Sequence, residues 1–218
     1  MPQRCLLLIM TLVLAACAPT PEAKPEPERS ALYRVSFVAT WSAATHPGSY
    51  PAGAHFSPLI GASHEASDET RLFRVGTPAS PGIKNMAELG NNTALRTEIN
   101  ALRGQQKAFR LLDGRVATAS PGTLTDTLRV SLAHPLVSVV TMIAPSPDWF
   151  VGITGESLLN ADQTWAATRT IPAASYDAGT DSGPDYASAD QPTTPAEPIR
   201  AVPHPAGPLG YFLLERLK

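Results

Sequence analysis

The sequence predicts a mostly β protein, an antiparallel β-sandwich with a short helical insertion, on three observations. Twenty-two prolines among 218 residues and a charged fraction of 17% argue against a helical bundle, because proline breaks helix interiors and solvated helix faces need charge. Apolar residues recur with a period of two in several short runs bounded by Gly, Pro, Asn and Asp, which is the pattern of half-buried strands. A single stretch, residues 82–104, carries the helical period instead. Strands with one helical interruption and many turns read as two packed sheets.

Taken in order, LYRVSFVATW (32–41) places Tyr33, Val35, Phe37 and Ala39 on one side and Arg34, Ser36, Val38 and Thr40 on the other. TRLFRV (70–75) is a short strand candidate. The helical stretch breaks at Gly90-Asn91-Asn92. Thr93 is the predicted N-cap of its second half, whose Leu95, Ile99 and Leu102 form one stripe. Asp113-Gly114 reads as a hairpin turn between FRLL and RVAT. TLTDTLRVSL (123–132) and LVSVVTMIA (136–144) read as paired strands joined at Ala133-His134-Pro135. The second is apolar on both faces and therefore central. WFVGI (149–153), TWAATRTIP (164–172) and GYFLLERL (210–217) complete the set, with 149–153 and 164–173 as a possible hairpin. Residues 187–208, rich in Pro and Ala, read as a long surface connection, so the domain spans 31–218. Trp41, Trp149, Phe150 and Trp165 are expected in the core or its rim. The alternative is an exposed anchor at Trp149 and Phe150, although alternation turns at least one of them inward.

The N-terminus carries a separate signal. Residues 1–16 read as a signal peptide: a basic start through Arg4, then the apolar run CLLLIMTLVL (5–14). That run is well short of the roughly 20 residues a spanning helix needs. Leu14-Ala15-Ala16-Cys17 resembles a bacterial lipobox, with Cys17 as the lipidation site; the alternative is an ordinary secretory signal with a chance cysteine. Residues 17–30, rich in Pro and Glu, read as an extended, solvated tether. The expected location is therefore the bacterial cell envelope, anchored in the membrane by lipid. Ala18, rather than Asp, after the cysteine points by analogy to the outer membrane. Cys5 and Cys17 are the only cysteines, so the exported domain is expected to fold without a disulfide.

A formal net charge of −2 and the lack of any Lys/Arg run give no electrostatic footprint for nucleic acid. Catalytic signals are equally thin. Asp181-Ser182-Gly183 matches the short aspartic-protease signature, but no second copy exists and no apolar strand precedes it. There is no Gly-x-Ser-x-Gly elbow and no His-Glu-x-x-His. His46, His55 and His64 could bind zinc, though such histidines more often cap turns. DAGTDSG (177–183) offers two carboxylates among glycines that allow carbonyls to turn inward, a chemistry suited to calcium. It is not an EF-hand loop, and on this stretch alone an ion loop and a pair of Asx turns stand level. Asp148, in PSPDW, is held between stiffening prolines and an aromatic strand at the end of 136–144. If the following hairpin returns the chain to the same rim, Asp148 faces Asp177 and Asp181, and a divalent cation would relieve their repulsion. No motif supports Glu88 or Asp185 as further ligands.

Four stretches in order resemble the spondin domain family, the module near the N-terminus of F-spondin and mindin that also occurs in bacterial exported proteins. They are YRVSFVATWSAATHPGSYPAGAHFSPLIGASH (33–64), ASPGIKNMAELGNNTALRTEI (79–99), SVVTMIAPSPDWFVGI (138–153) and YDAGTDSG (176–183). The resemblance covers most of 33–183 and implies a C2-like β-sandwich with a calcium site at one end, carried here by Asp148, Asp177 and Asp181. Animal members carry disulfides and thrombospondin repeats that are missing from this sequence, and 187–208 has no evident counterpart in the resemblance. The expected function is a lipid-anchored, calcium-binding spondin-domain protein, a binding or adhesion module for an unknown protein or glycan ligand. An envelope hydrolase using the carboxylates or the histidine loop is the alternative.

Overall fold

The alternation in the first strand sets the architecture. In the computed structural model, which describes residues 28–204 and 206–218, β1 (Ser30–Ala39) buries Tyr33, Val35, Phe37 and Ala39 on one face. The predicted signal peptide, Cys17 and most of the tether lie outside the described residues. β1 is flanked antiparallel by β6 (Gly122–Ser131) and β12 (Gly210–Arg216), and β9 (Thr168–Pro172) lies beyond β12. These strands make a four-stranded sheet among the described residues.

A larger, eight-stranded sheet packs against it. Its centre is β7 (Leu136–Ala144), paired on one edge with β8 (Trp149–Ser157). On its other edge β7 pairs with β3 (Ile60–His64) and, further along, β2 (His55–Phe56). β4 (Ala108–Asp113) lies beyond β3, and β5 (Thr118–Ala119) beyond β2. β10 (Ala174–Asp177) and then β11 (Arg200–Ala201) lie beyond β8.

The core between the sheets holds Tyr33, Phe37, Trp41, Phe56, Val139 and Phe212. The outer face of the larger sheet is covered by α1 (Pro81–Leu89) and α2 (Thr93–Gly104), which bury Ile83, Met86, Leu95 and Ile99 against Ile60, Val140 and Phe150. This third layer explains why β7 is apolar on both faces: Val139 and Ile143 enter the first core and Val140 the second. Phe150 is fully buried under the helices and Trp149 packs against the inter-sheet core, so neither forms an exposed anchor. No helix among the described residues is long and apolar enough to cross a membrane.

Glu98 fastens the two helices together. Its Oε2 accepts from the Ser80 hydroxyl (2.7 Å) and its Oε1 from the Gly82 N–H (2.7 Å) at the N-terminus of α1, while Ser80 Oγ caps Ile83 N–H. A carboxylate there meets both unsatisfied N–H groups and the positive end of the helix. Glu98→Ala is expected to destabilise the domain by about 2 kcal/mol, and Glu98→Gln by about half of that, read from urea midpoints at constant slope.

Several local expectations are corrected. Asn92, not Thr93, is the N-cap of α2, and the Asn91 side chain accepts from Thr93 N–H (2.9 Å). Residues 70–75 are not a strand: Leu72 and Phe73 plug the second core, with Phe73 edge-on to Phe150 at 5.0 Å. Asp113-Gly114 is not a hairpin turn. Asp113 ends β4 in a two-pronged ion pair with Arg96 (2.8 Å each), and Gly114 N–H bonds Leu59 C=O. β6 and β7 do not pair; Ala133-His134-Pro135 carries the chain from the small sheet to the large one. Nor do β8 and β9 form a hairpin. The chain instead passes from the small sheet to the large one at the buried Ala173, between β9 and β10, where the side chain is small enough to sit in the core between them.

Candidate functional site at the carboxylate rim

The crossing at Ala173 is what brings the aspartates together. β10 pairs with β8 so that Asp177 lies opposite Trp149, one residue beyond Asp148. Ala178 N–H then bonds the Asp148 carbonyl (3.2 Å), and the chain turns tightly back over the end of the larger sheet. Gly179 makes that turn with φ at +73°, and a Cβ there would run into the Glu197 backbone.

Asp148, Asp177 and Asp181 are buried, at 0%, 3% and 6% exposure. Asp148 Oδ2 accepts from Thr180 N–H (2.7 Å), Asp181 N–H (3.0 Å) and the Thr180 hydroxyl (3.2 Å). Its Oδ1 is buried with no hydrogen-bond partner. Burial pushes the Asp148 carboxyl up to about 6; the neighbouring Asp177 charge adds to the rise, and the Thr180 and Asp181 bonds oppose it.

The Asx-turn reading of DAGTDSG is seen in the loop. Asp177 Oδ1 accepts from Gly179 N–H (2.7 Å) and Asp181 Oδ1 from Gly183 N–H (2.8 Å), two residues on in each case, so both are Asx turns. Their second oxygens reach elsewhere: Asp177 Oδ2 to the Arg200 guanidinium (2.8 and 3.2 Å) and Asp181 Oδ2 to Gln191 N–H (2.7 Å). Sequence reasoning named neither Arg200 nor Gln191. Both lie in 187–208, and nothing in their spacing marks them. This stretch is a strap knitted onto the loop through Ser182 N–H to Gln191 C=O, Thr193 N–H to Thr180 C=O and Glu197 N–H to Gly179 C=O.

As arranged, no three His, Cys, Asp or Glu side chains among the described residues form a ready metal centre. Donor chemistry nevertheless fits a hard cation. Asp148 Oδ1 is an orphaned, buried carboxylate oxygen, and Asp177 Oδ1 and both Asp181 oxygens each accept one hydrogen bond and keep a second lone pair. Glu88 lines a pocket of about 130 Å³ that also reaches Asp181, whereas Asp185 is exposed and caps Ala187 N–H.

The histidines do not gather. His46 bonds Thr45 and the Gly207 carbonyl, and His55 is exposed beside Gly53. His64 is buried among Glu65, Thr70 and Ser138.

Fold and rim together define a helix-covered β-sandwich module whose constrained residues gather in loops at one end. The family model Spondin_N matches residues 31–208, and so runs through the strap that the sequence reading left without a counterpart. Human (Homo sapiens) Spondin-1 is 36% identical over 193 residues, covering 82% of this chain and 23% of that protein. Chicken (Gallus gallus) Spondin-1 is 35% identical over the same span, and human Spondin-2 is 32% identical over 220 residues, covering 98% of this chain and 66% of that protein. The chain belongs to the spondin N-terminal domain family, and it spans about a quarter of the length of the Spondin-1 relatives.

Proposed function

We propose that this chain is an exported, lipid-anchored spondin-domain protein that binds calcium at the carboxylate rim and serves as a binding or adhesion module at the bacterial cell envelope. The observation that carries the ion reading is the unpartnered, buried Oδ1 of Asp148 beside the loop of Asp177 and Asp181. A calcium ion would supply positive charge among the three buried carboxylates. Asp148, Asp177 and Asp181 would hold it; Thr180 fixes the Asp148 carboxylate from behind, and Arg200 orients Asp177. Partners of the carboxylates are backbone N–H groups, Thr180 and Arg200 rather than a base–nucleophile pair, which favours binding over hydrolysis.

Calcium is expected to raise the unfolding temperature, with a gain that grows logarithmically once free calcium exceeds its dissociation constant. The gain is about 2.7 kcal/mol once free calcium exceeds its dissociation constant a hundredfold. A flat titration to millimolar calcium, or one unchanged in Asp181→Ala, would defeat the ion reading. The anchor rests on Leu14-Ala15-Ala16-Cys17 and the tether after it. Cys17→Ser should move the protein out of the membrane fraction.

A further inference from the structure

The opposite end of the sandwich holds a separate pocket. Asp148 follows the C-terminal end of β7, whereas an open pocket of about 550 Å³ lies at its N-terminal end, lined by Glu65, Arg103, Gln106, Phe109, Arg110 and His134. Nine residues of strand separate the two, about 30 Å. Among the described residues neither Arg103 nor Arg110 makes an ion pair. Arg103 Nη1 bonds the Asn100 side chain and Arg110 Nη1 the Phe109 carbonyl, which leaves most of both guanidinium forks free.

These arginines sit on a prepared floor. The Arg110 guanidinium lies over the Phe109 ring, 4.2 Å from its centre. Phe109 in turn stacks on the His134 imidazole (5.7 Å, 19°). His134 is fixed by donating Nε2–H to the Gln106 carbonyl (2.7 Å), so its Nδ1 accepts from the Ser131 hydroxyl (3.0 Å). Gln106 itself holds φ at +61°, a conformation rare outside glycine, at the turn from α2 into β4. A pocket with two guanidiniums outside any ion pair, a stacked aromatic floor and a constrained turn is arranged for an oxyanion gripped through two of its oxygens, and Glu65 is the one acid that lines it.

We propose that this pocket binds a phosphate group. A soluble phosphate and the headgroup of an anionic lipid share that chemistry. β1 enters the fold at the same end, with Ser30 opposite Ser131, so the lipid source rests on the acyl-anchor reading, which would bring this end to a membrane. Phosphate binding itself rests on neither the calcium nor the acyl-anchor reading.

The test uses the full chain carrying Cys17→Ser, without calcium. One arm titrates inorganic phosphate by calorimetry. The other measures co-sedimentation with phosphatidylcholine vesicles, with and without phosphatidylglycerol. Binding in either arm that weakens with salt is expected, and it identifies the source. Arg103→Gln with Arg110→Gln should weaken it about tenfold, and Glu65→Gln should tighten it about threefold, because the substitutions change the pocket charge in opposite directions. No binding in both arms overturns the proposal. So does binding that the arginine and glutamate variants leave unchanged.

Discussion

Asp148→Ala is expected to lower the stability of the ion-free domain by about 3 kcal/mol and to abolish its response to calcium. Two buried backbone N–H groups, of Thr180 and Asp181, and the Thr180 hydroxyl would lose their acceptor together, and each orphaned donor costs about 1–3 kcal/mol. Relief of a costly buried charge offsets part of that loss, because the carboxyl is already pushed up to about 6 by burial. Asp148→Asn separates the two roles. Its amide oxygen can still accept from Thr180 and Asp181 while the charge is gone, so stability without calcium should stay within about 1 kcal/mol of the parent. The calcium-dependent rise in unfolding temperature should vanish in both variants. If Asp148→Asn still responds to calcium like the parent, the rim is not the ion site.

Acid is expected to destabilise the domain through His64, by about 3 kcal/mol between pH 7 and pH 4. His64 is fully buried. Its Nδ1–H donates toward the Glu65 carbonyl (3.0 Å), so Nε2 accepts from the Ser138 hydroxyl (2.8 Å), which itself accepts Gly155 N–H (2.9 Å). Burial lowers its pKa from 6.5 to about 4. The folded protein therefore keeps His64 neutral while the unfolded chain takes up a proton below about 6.5. Stability from this group is complete above that pH and is lost as pH falls toward 4. A gap of about 2.5 pKa units corresponds to about 3 kcal/mol. His64→Gln, which retains a donor and an acceptor but cannot titrate, should show a shallower acid loss in urea midpoints measured from pH 7 to 4.5. Parallel profiles for the two proteins would refute the assignment.

Both residues show how far a sequence can be read. His64 stood out only as one of three evenly spaced histidines, a pattern that suggested zinc. Its real surroundings come from Ser138 of β7, the strand paired with β3, and through it Gly155 of β8, a neighbourhood no local spacing records. Asp148 and the DAGTDSG loop were legible because their prolines, glycines and aspartates demand special backbone conformations. The route that joins them was not. The sequence allows a hairpin of 149–153 with 164–173, and the structure instead sends β9 to one sheet and β10 to the other. Arg200 and Gln191 were invisible for the same reason: their roles depend on a strap folding back across the loop.

What the sequence alone determined is whatever short-range chemistry dictates: most strands at the two-residue period, the paired helices with their break at Gly90, a tight Asp- and Gly-rich loop at 177–183, and membership of a sandwich class. Each follows from backbone preference and side-chain spacing within a few residues. Only the tertiary structure decided which strands share a sheet, that helices cover the outer face, and that Asp148 is left with one buried oxygen unpartnered. Those outcomes depend on contacts between residues far apart in the chain. Several pairings would bury the same apolar side chains, and only packing of the whole domain selects among them.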